Sequence, residues 1–319
     1  MDIAHFPTNP APTDPAPADL AVTELAPAKL NLALHVTGRR ADGFHLLESL
    51  AVFTRFGDRL HVEPAVEDGF AIDGPFADRL DVGADNLVLR AREALRQALP
   101  EPARQALAPV AIRLEKNLPV ASGIGGGSSD AAAALRSLNR LWRGKLDDRA
   151  LAEIGAGLGA DVPMCLAARP LVAKGIGEIV EPVADFPTLA LVLVNPGAAV
   201  ATPEVFARLT RRDGEGLPPL PGTIDFHSLR NWLETTRNDL EPAAREIQPA
   251  IGQAIAALDK AGSGFSRMSG SGATCFGLFE TGNVAKRAAL AIRAKHPGWF
   301  VAATRGMPSP GRSEEANHG

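Results

Sequence analysis

Four glycines in five positions, Gly123 and Gly125 to Gly127, mark the part of the chain best suited to hold a phosphate. They lie in Pro119-Val120-Ala121-Ser122-Gly123-Ile124-Gly125-Gly126-Gly127-Ser128-Ser129-Asp130. Glycine leaves the backbone uncovered and permits positive φ, so N–H groups can converge on an anion. A helix opening directly after the loop adds its free N–H groups and its dipole. Ser128 or Ser129 is expected to cap that helix, and Asp130 to suit its positive end. No Gly-Lys-Ser/Thr closes the loop, so it is not a Walker A motif. Ser128 stands where a dinucleotide fingerprint needs its third glycine. A flexible loop, or close backbone packing with no ligand, would also use glycine. The flanking strand and helix and the serines favour the phosphate cradle.

Two further segments supply groups that could act on a phosphate. Asp161, in Gly159-Ala160-Asp161-Val162-Pro163, follows a helix and stands beside an apolar run. Taken alone it reads first as a turn or helix-cap aspartate. Lys29 and Asn31, two apart in Pro27-Ala28-Lys29-Leu30-Asn31-Leu32, share one face of a strand, with Leu30 and Leu32 on the other. A solvated strand edge would look the same. Phosphoryl transfer to an alcohol needs positioned phosphates, balanced charge and removal of the hydroxyl proton. A glycine loop, a lysine and an aspartate supply those parts, since the cation keeps the carboxylate ionised and favours a developing alkoxide.

These groups need a scaffold. Val110, Ile112 and Leu114 alternate with Ala111, Arg113 and Glu115, which predicts a half-buried strand before the loop. Ala131, Leu135, Leu138 and Trp142 recur at helical spacing after it. Strands are expected at 30–36, 44–53, 60–62, 70–72, 189–194, 265–268, 274–279 and 300–303. Helices are expected at 87–99, 148–158, 203–209, 226–234, 243–261 and 284–294. The fold class is α+β in two subdomains: a first domain over 21–175 and a second over 176–306. Residues 1–20, rich in Pro, Ala and Asp, read as a disordered tail, and 307–319 as a flexible one.

The loop resembles the ATP-binding motif of the GHMP kinases, the superfamily of galactokinase, homoserine kinase, mevalonate kinase and phosphomevalonate kinase. That resemblance implies a left-handed βαβ unit in the N-terminal part, ATP phosphates over residues 119–129, and Lys29 with Asp161 as the catalytic pair. Gly38-Arg39-Arg40-Ala41-Asp42-Gly43-Phe44-His45, Asn238-Asp239-Leu240-Glu241 and Ser269-Gly270-Ser271-Gly272-Ala273 narrow it further. With the segments around Lys29, Gly125 and Asp161, they resemble the diphosphocytidyl-methylerythritol kinases of non-mevalonate isoprenoid synthesis. The match covers roughly 25–279. It implies a substrate bearing a cytidine diphosphate group, with Asn31 near its hydroxyls and ATP and Mg²⁺ as partners in transfer.

Phe44 stands where that family more often has tyrosine; this chain has no tyrosine at all. An aromatic face is kept for stacking on cytosine. His45 is suited to the base edge, and Phe206 to the opposite face. Phe44 would also serve as a core aromatic, His45 as a turn residue, Phe206 as a helix anchor, and Gly270 to Gly272 as a tight hairpin turn. The alternatives are another GHMP small-molecule kinase, of mevalonate or homoserine type, or a non-catalytic nucleotide binder of the same fold.

Composition sets outer limits. The chain has 319 residues, 45% hydrophobic, and a net charge of −4. That balance and the scarce aromatics oppose nucleic-acid binding. No apolar run reaches the ~18 residues of a membrane span. Cys165 and Cys275 lie far apart among apolar neighbours and read as buried, reduced thiols of a cytoplasmic protein. No carboxylate cluster marks a metal cage, so the metal ligands stay unassigned, as does the oligomeric state.

Overall fold

The computed structural model describes residues 21–309 apart from Ala84 and Arg211. The expected N-terminal tail lies outside the described residues, as does 310–319. The chain is still docked at 307–309: Met307 N–H donates to Phe53 O (2.7 Å), and Phe186 N–H donates to the Ser309 hydroxyl (2.8 Å).

The first sheet grows from one long hairpin, β1 (Val22–Arg39) against β2 (His45–Pro64). Sequence periodicity divides β2 at Arg55-Phe56-Gly57-Asp58, but the strand runs through. Gly57 and Asp58 look like a turn and are instead interior contacts. A Cβ at Gly57 would stand 2.1 Å from Ala26 O, and Asp58 is fully buried. Along the other edge of β2 run β4 (Val110–Glu115) and β5 (Leu171–Gly175), with β3 (Gly69–Asp73) outside β4 and β6 (Ile179–Pro182) outside β5. β3 and β4 are parallel, joined through α1 (Leu87–Ala98) and α2 (Glu101–Gln105). α1 opens on Asn86, whose side chain accepts the Val88 N–H. α3 (Gly126–Leu141), α4 (Asp148–Leu158) and α5 (Val162–Ala167) pack with α1 on this sheet around one apolar core.

The second sheet is antiparallel, ordered β10 (Phe300–Arg305), β7 (Ala190–Asn195), β9 (Cys275–Phe279), β8 (Phe265–Met268). The chain changes sheets after β6, a little later than the expected division at 175, because residues 175–178 turn the β5–β6 hairpin. Around the second sheet lie α6 (Thr202–Ala207), α7 (Phe226–Glu234), α8 (Glu241–Ile247), α9 (Ala250–Lys260) and α10 (Gly282–Lys295). The single helix expected over 243–261 is two. Pro249 lacks an N–H and cannot continue α8, so it sits ahead of the first turn of α9.

A third apolar core joins the two sheets. Leu30, Leu32, Leu50 and Val52 of the first meet Leu191, Leu193, Phe276 and Leu278 of the second. No helix among the described residues is long and apolar enough to cross a membrane. Both cysteines are buried. Burial pushes the Cys165 thiol up to about 12, with Asp161 adding to it, and raises Cys275 further still. Neither is a nucleophile at neutral pH.

Residues 214–217 lie as a strap across β1 and β2. His35 Nδ1–H donates to the carbonyls of Glu215 and Gly216 (3.0 Å each), and its Nε2 accepts the Arg237 N–H (3.1 Å). Glu48 accepts the Leu217 N–H at 2.9 Å. These contacts need neutral imidazole. Burial lowers the His35 pKa, helped by Arg237 and opposed by the two carbonyls and by Asp239. Below the unfolded value of about 6.5 the unfolded chain binds a proton that the folded chain refuses, so stability falls as pH drops. Urea unfolding at pH 7 and pH 5 should show this loss in the parent and a flatter slope in His35→Gln. An unchanged slope in the variant would remove His35 from the account.

Candidate active site

Where the two subdomains meet, beside the first sheet, lies a cleft of about 640 Å³. Its polar floor is made by β1. The pairing of β1 with β2 slips between Pro27 and Lys29 and again between Asn31 and Ala33. Two bulges thus bracket the Lys29-Leu30-Asn31 step and twist it. Alternation then sends Leu30 and Leu32 into the joint core and Lys29 and Asn31 into the cleft.

Lys29 Nζ meets Asp161 Oδ2 at 2.7 Å across 132 residues of chain. The lysine side chain is 6% exposed and the aspartate 39%. Asp161 occupies the N-cap position of α5, where the sequence allows a capping role, but its side chain makes no cap hydrogen bond. Pro163 in the first turn leaves fewer N–H groups there to satisfy. The carboxylate is therefore spent on Lys29, with its other oxygen toward Gly177 in the β5–β6 turn.

The glycine loop forms the adjoining wall. Ala121, Gly123 and Gly125 all have positive φ. Gly125 is the N-cap of α3, with no side-chain cap, so neither serine takes that role. The Ser129 hydroxyl instead donates to Pro27 O (2.6 Å), and Lys29 N–H donates to Ile124 O (2.9 Å). Asp130 is turned inward to Lys116 rather than to the helix end. Residues 119–123 and 125–128 line the cleft. Ile124 lies in the joint core and Ser129 is buried at the bulge. Both shape the loop rather than face the cleft.

A second glycine turn backs the first. Residues 269–274 join β8 to β9, and 269–272 of them press on the loop backbone to backbone. A Cβ at Gly123 would stand 2.4 Å from Ser269 O, and one at Gly270 would stand 2.7 Å from Gly123 O. Thr274 N–H donates to Ser122 O, and Ser269 Oγ–H to Gly123 O. Asn238 Nδ2 donates to both Met268 O and Gly270 O (2.9 Å each). The turn is a hairpin connection, and Gly270 and Ser271 also line the cleft.

At the far end, His45 stacks on Phe206 with ring centroids 5.0 Å apart and planes 25° apart. His45 Nε2 is buried without a partner, as is Asn31 Oδ1, while Asn31 Nδ2 donates to Ser49 Oγ at 2.7 Å. Burial lowers the His45 pKa, aided by Arg39 and Arg212, so the ring is neutral and offers both a donor and an acceptor. Phe206 lines the cleft. Neither His45 nor Phe44 is among the residues that line it; His45 reaches the cleft only through its stack on Phe206, and Phe44, just before β2, is 60% exposed.

The cleft also takes in Leu80, Asp81, Gly83, Asp85, Asn86 and Leu87 before α1, together with Lys116 and Thr202. Sequence reasoning assigned none of these to the site. Nothing in the spacing of these residues ties them to the loop. Among the described residues no cluster of three His, Cys, Asp or Glu side chains could hold a metal. The lining offers single carboxylates and hydroxyls, among them Asp81, Asp85, Asp161 and Ser128, rather than a preformed cage, which fits a cation arriving on phosphate oxygens.

The family model described as GHMP kinases N terminal domain matches residues 86–169, and that described as GHMP kinases C terminal matches 222–298. The chain is 66% identical over 282 residues to a 4-diphosphocytidyl-2-C-methyl-D-erythritol kinase of Mesorhizobium japonicum, covering 88% of this chain and 95% of that one. It is 57% identical over 279 residues to one from Chelativorans, covering 88% and 94%. A crystal structure of 4-(cytidine 5'-diphospho)-2C-methyl-D-erythritol kinase superposes with a TM-score of 0.73 at 35% identity, covering 90% of this chain and all of that one. A homoserine kinase from Cytophaga hutchinsonii, at 16% identity and a TM-score of 0.64 over 94% and 98% of the two chains, shares the fold.

Gly123 tests how the two glycine turns depend on each other. Its φ is +75°, and an added methyl would strike the Ser269 carbonyl. Gly123→Ala should lower stability by about 2 kcal/mol or more. It should also weaken nucleotide binding in a fluorescence titration. Parent-like values in both measurements would mean that the turns are not in contact in solution.

Proposed function

The chain belongs to the GHMP kinases, in their 4-diphosphocytidyl-2-C-methyl-D-erythritol kinase group, and from that premise we infer that it moves the γ-phosphoryl of ATP to the 2-hydroxyl of 4-diphosphocytidyl-2-C-methyl-D-erythritol. The observation that carries this reading is the 2.7 Å Lys29–Asp161 pair at the edge of the glycine loop. ATP use follows from the family. Mg²⁺, when bound on the phosphates, screens their charge.

The chain's own residues divide the work. The loop over 119–128 presents backbone N–H groups to the phosphates, with the opening of α3 behind it. Asp161, the more open member of the pair, accepts the proton of the 2-hydroxyl. Lys29, nearly dry, stabilises the negative charge that grows on that oxygen, because an ammonium acts more strongly where water is excluded. The orphan Asn31 Oδ1 suits a hydroxyl of the erythritol. At the far end, Phe206 offers a ring face to the cytosine. His45 offers a neutral ring nitrogen to the base edge, and Phe44 stands exposed beside it as a covering face.

Two variants separate chemistry from recognition. Asp161→Ala should cut kcat by about a hundredfold or more, as loss of a general base does, with little change in the KM for ATP. Phe206→Ala should raise the KM for the cytidine substrate roughly tenfold, the worth of one stacked base, and leave the KM for ATP in place. Coupled ADP-release assays read both. Near-parent turnover in Asp161→Ala would remove the base assignment. An unchanged substrate KM in Phe206→Ala would move the cytosine elsewhere. Turnover with mevalonate or homoserine but not with the cytidine substrate would replace the reading as a whole.

A further inference from the structure

Beneath the glycine loop lies a charged group that the transfer chemistry does not use. Lys116 directly follows β4, and Asp130 sits in the first turns of α3, so they are the two ends of the 117–129 segment. Lys116 Nζ reaches Asp130 Oδ2 at 2.6 Å and Asp58 Oδ2, from the middle of β2, at 2.5 Å. The other Asp58 oxygen accepts the N–H groups of Asn117 (2.6 Å) and Leu118 (2.7 Å). All three side chains are buried. Gly126, the first residue of α3, packs directly on the group: a Cβ there would lie 3.1 Å from Lys116 Nζ and 3.7 Å from Asp58 Oδ2.

We propose that Asp58, Lys116 and Asp130 form a clasp across the neck of the nucleotide loop, with Asp58 and Asp130 acting as positioning residues for ATP. The clasp fixes the distance between the end of β4 and the start of α3. It thereby sets the curvature of the segment whose N–H groups face the phosphates. A stability role alone would not require both ends of one loop to meet on one ammonium. Nor would it require a third residue to hold the first two N–H groups of that same loop. Two carboxylates beside one ammonium leave an excess negative charge in a dry site. Burial raises the Asp130 carboxyl to about 7, against the pull of Lys116 and with a push from Asp58. A neutral amide at 130 should therefore serve nearly as well as the acid, while an apolar group there should open the neck.

This inference rests on the reading that the loop holds ATP. Its test compares Asp130→Asn with Asp130→Leu in the full chain. Three quantities are read: affinity for a fluorescent N-methylanthraniloyl ATP, the two KM values, and kcat. In Asp130→Leu the nucleotide Kd and the KM for ATP should rise at least tenfold. Its kcat at saturating ATP should fall less than threefold, and the KM for the alcohol should stay within twofold. Asp130→Asn should stay within threefold of the parent throughout. If Asp130→Leu does not fold, Asp130→Ser, which also loses the pair, is read in its place. An unchanged nucleotide Kd in the leucine or serine variant would overturn the clasp. So would an asparagine variant as weak as leucine, or both KM values rising together. A parent that binds the nucleotide but phosphorylates no cytidine substrate would defeat the proposed function alone, and the Kd comparison would still decide the clasp. A parent that binds no nucleotide would overturn both.

Discussion

A nearly dry ammonium is the constraint around which the cleft is arranged. An unpaired lysine at the exposure of Lys29 would be strongly destabilising, so its partner has to be delivered within hydrogen-bond distance. That partner comes from the start of α5. The ammonium must also face the cleft while its neighbours Leu30 and Leu32 stay in the joint core. β1 meets both demands by bulging on either side of the lysine. Beside each bulge a backbone carbonyl accepts a hydrogen bond from a side chain outside the sheet. Pro27 O takes the Ser129 hydroxyl. Leu32 O takes the Arg267 guanidinium, which also bonds the Leu233 and Thr236 carbonyls at the end of α7. One bulge is thus tied to the glycine-loop helix and the other to the second subdomain.

The same economy governs the loop. Its glycines serve close approach as much as ligand access. Gly123 and Gly270 let two backbones touch, and Gly125 and Gly126 let α3 start against Lys29 and Lys116. This wall of the cleft is therefore assembled from both subdomains. Hydrogen bonds from Thr274 and Ser269 to loop carbonyls hold those carbonyls away from the cleft. That leaves its surface richer in N–H groups, which is the electrostatic condition for holding an anion.

The loop, the lysine and the aspartate were legible only as a set, because Lys29 alone also reads as a solvated strand edge and Asp161 alone as a turn residue; the structure brings all three to one cleft. The helices α1, α4 and α7 were legible to within a residue or so because 3.6-residue periodicity and capping groups coincide there. β2 was not. Its interior Gly57 and Asp58 carry turn chemistry, and only the tertiary partners Ala26, Lys116 and the N–H groups after β4 explain them. Asp130 was misjudged for the same reason. Helix-dipole logic considers only its own helix, whereas burial beside Lys116 decides its orientation. Lys116 carried no local signal: a lone lysine after a strand is ordinarily a solvated one. The exposure of Phe44 and the stacking of His45 on Phe206 likewise depend on which residue starts β2, and sequence boundaries are least certain at that scale.

The unequal exposure of Lys29 and Asp161 bears on direction as well as stability. If both members of the pair were dry, neither would meet an incoming hydroxyl. If both were wet, water would screen the ammonium and compete for the carboxylate. With the lysine inside and the aspartate at the cleft, a hydroxyl bound as proposed would reach the carboxylate first. The charge that develops on its oxygen then falls beside the buried cation. The loop stands on the other side of Lys29, where a Cβ on Gly125 would already lie 3.3 Å from the lysine stem. Under the proposed reading, donor phosphate and acceptor hydroxyl thus share one cation between them. The aromatic end around Phe206 is then left to set which alcohol arrives, because little in the catalytic pair itself discriminates one alcohol from another.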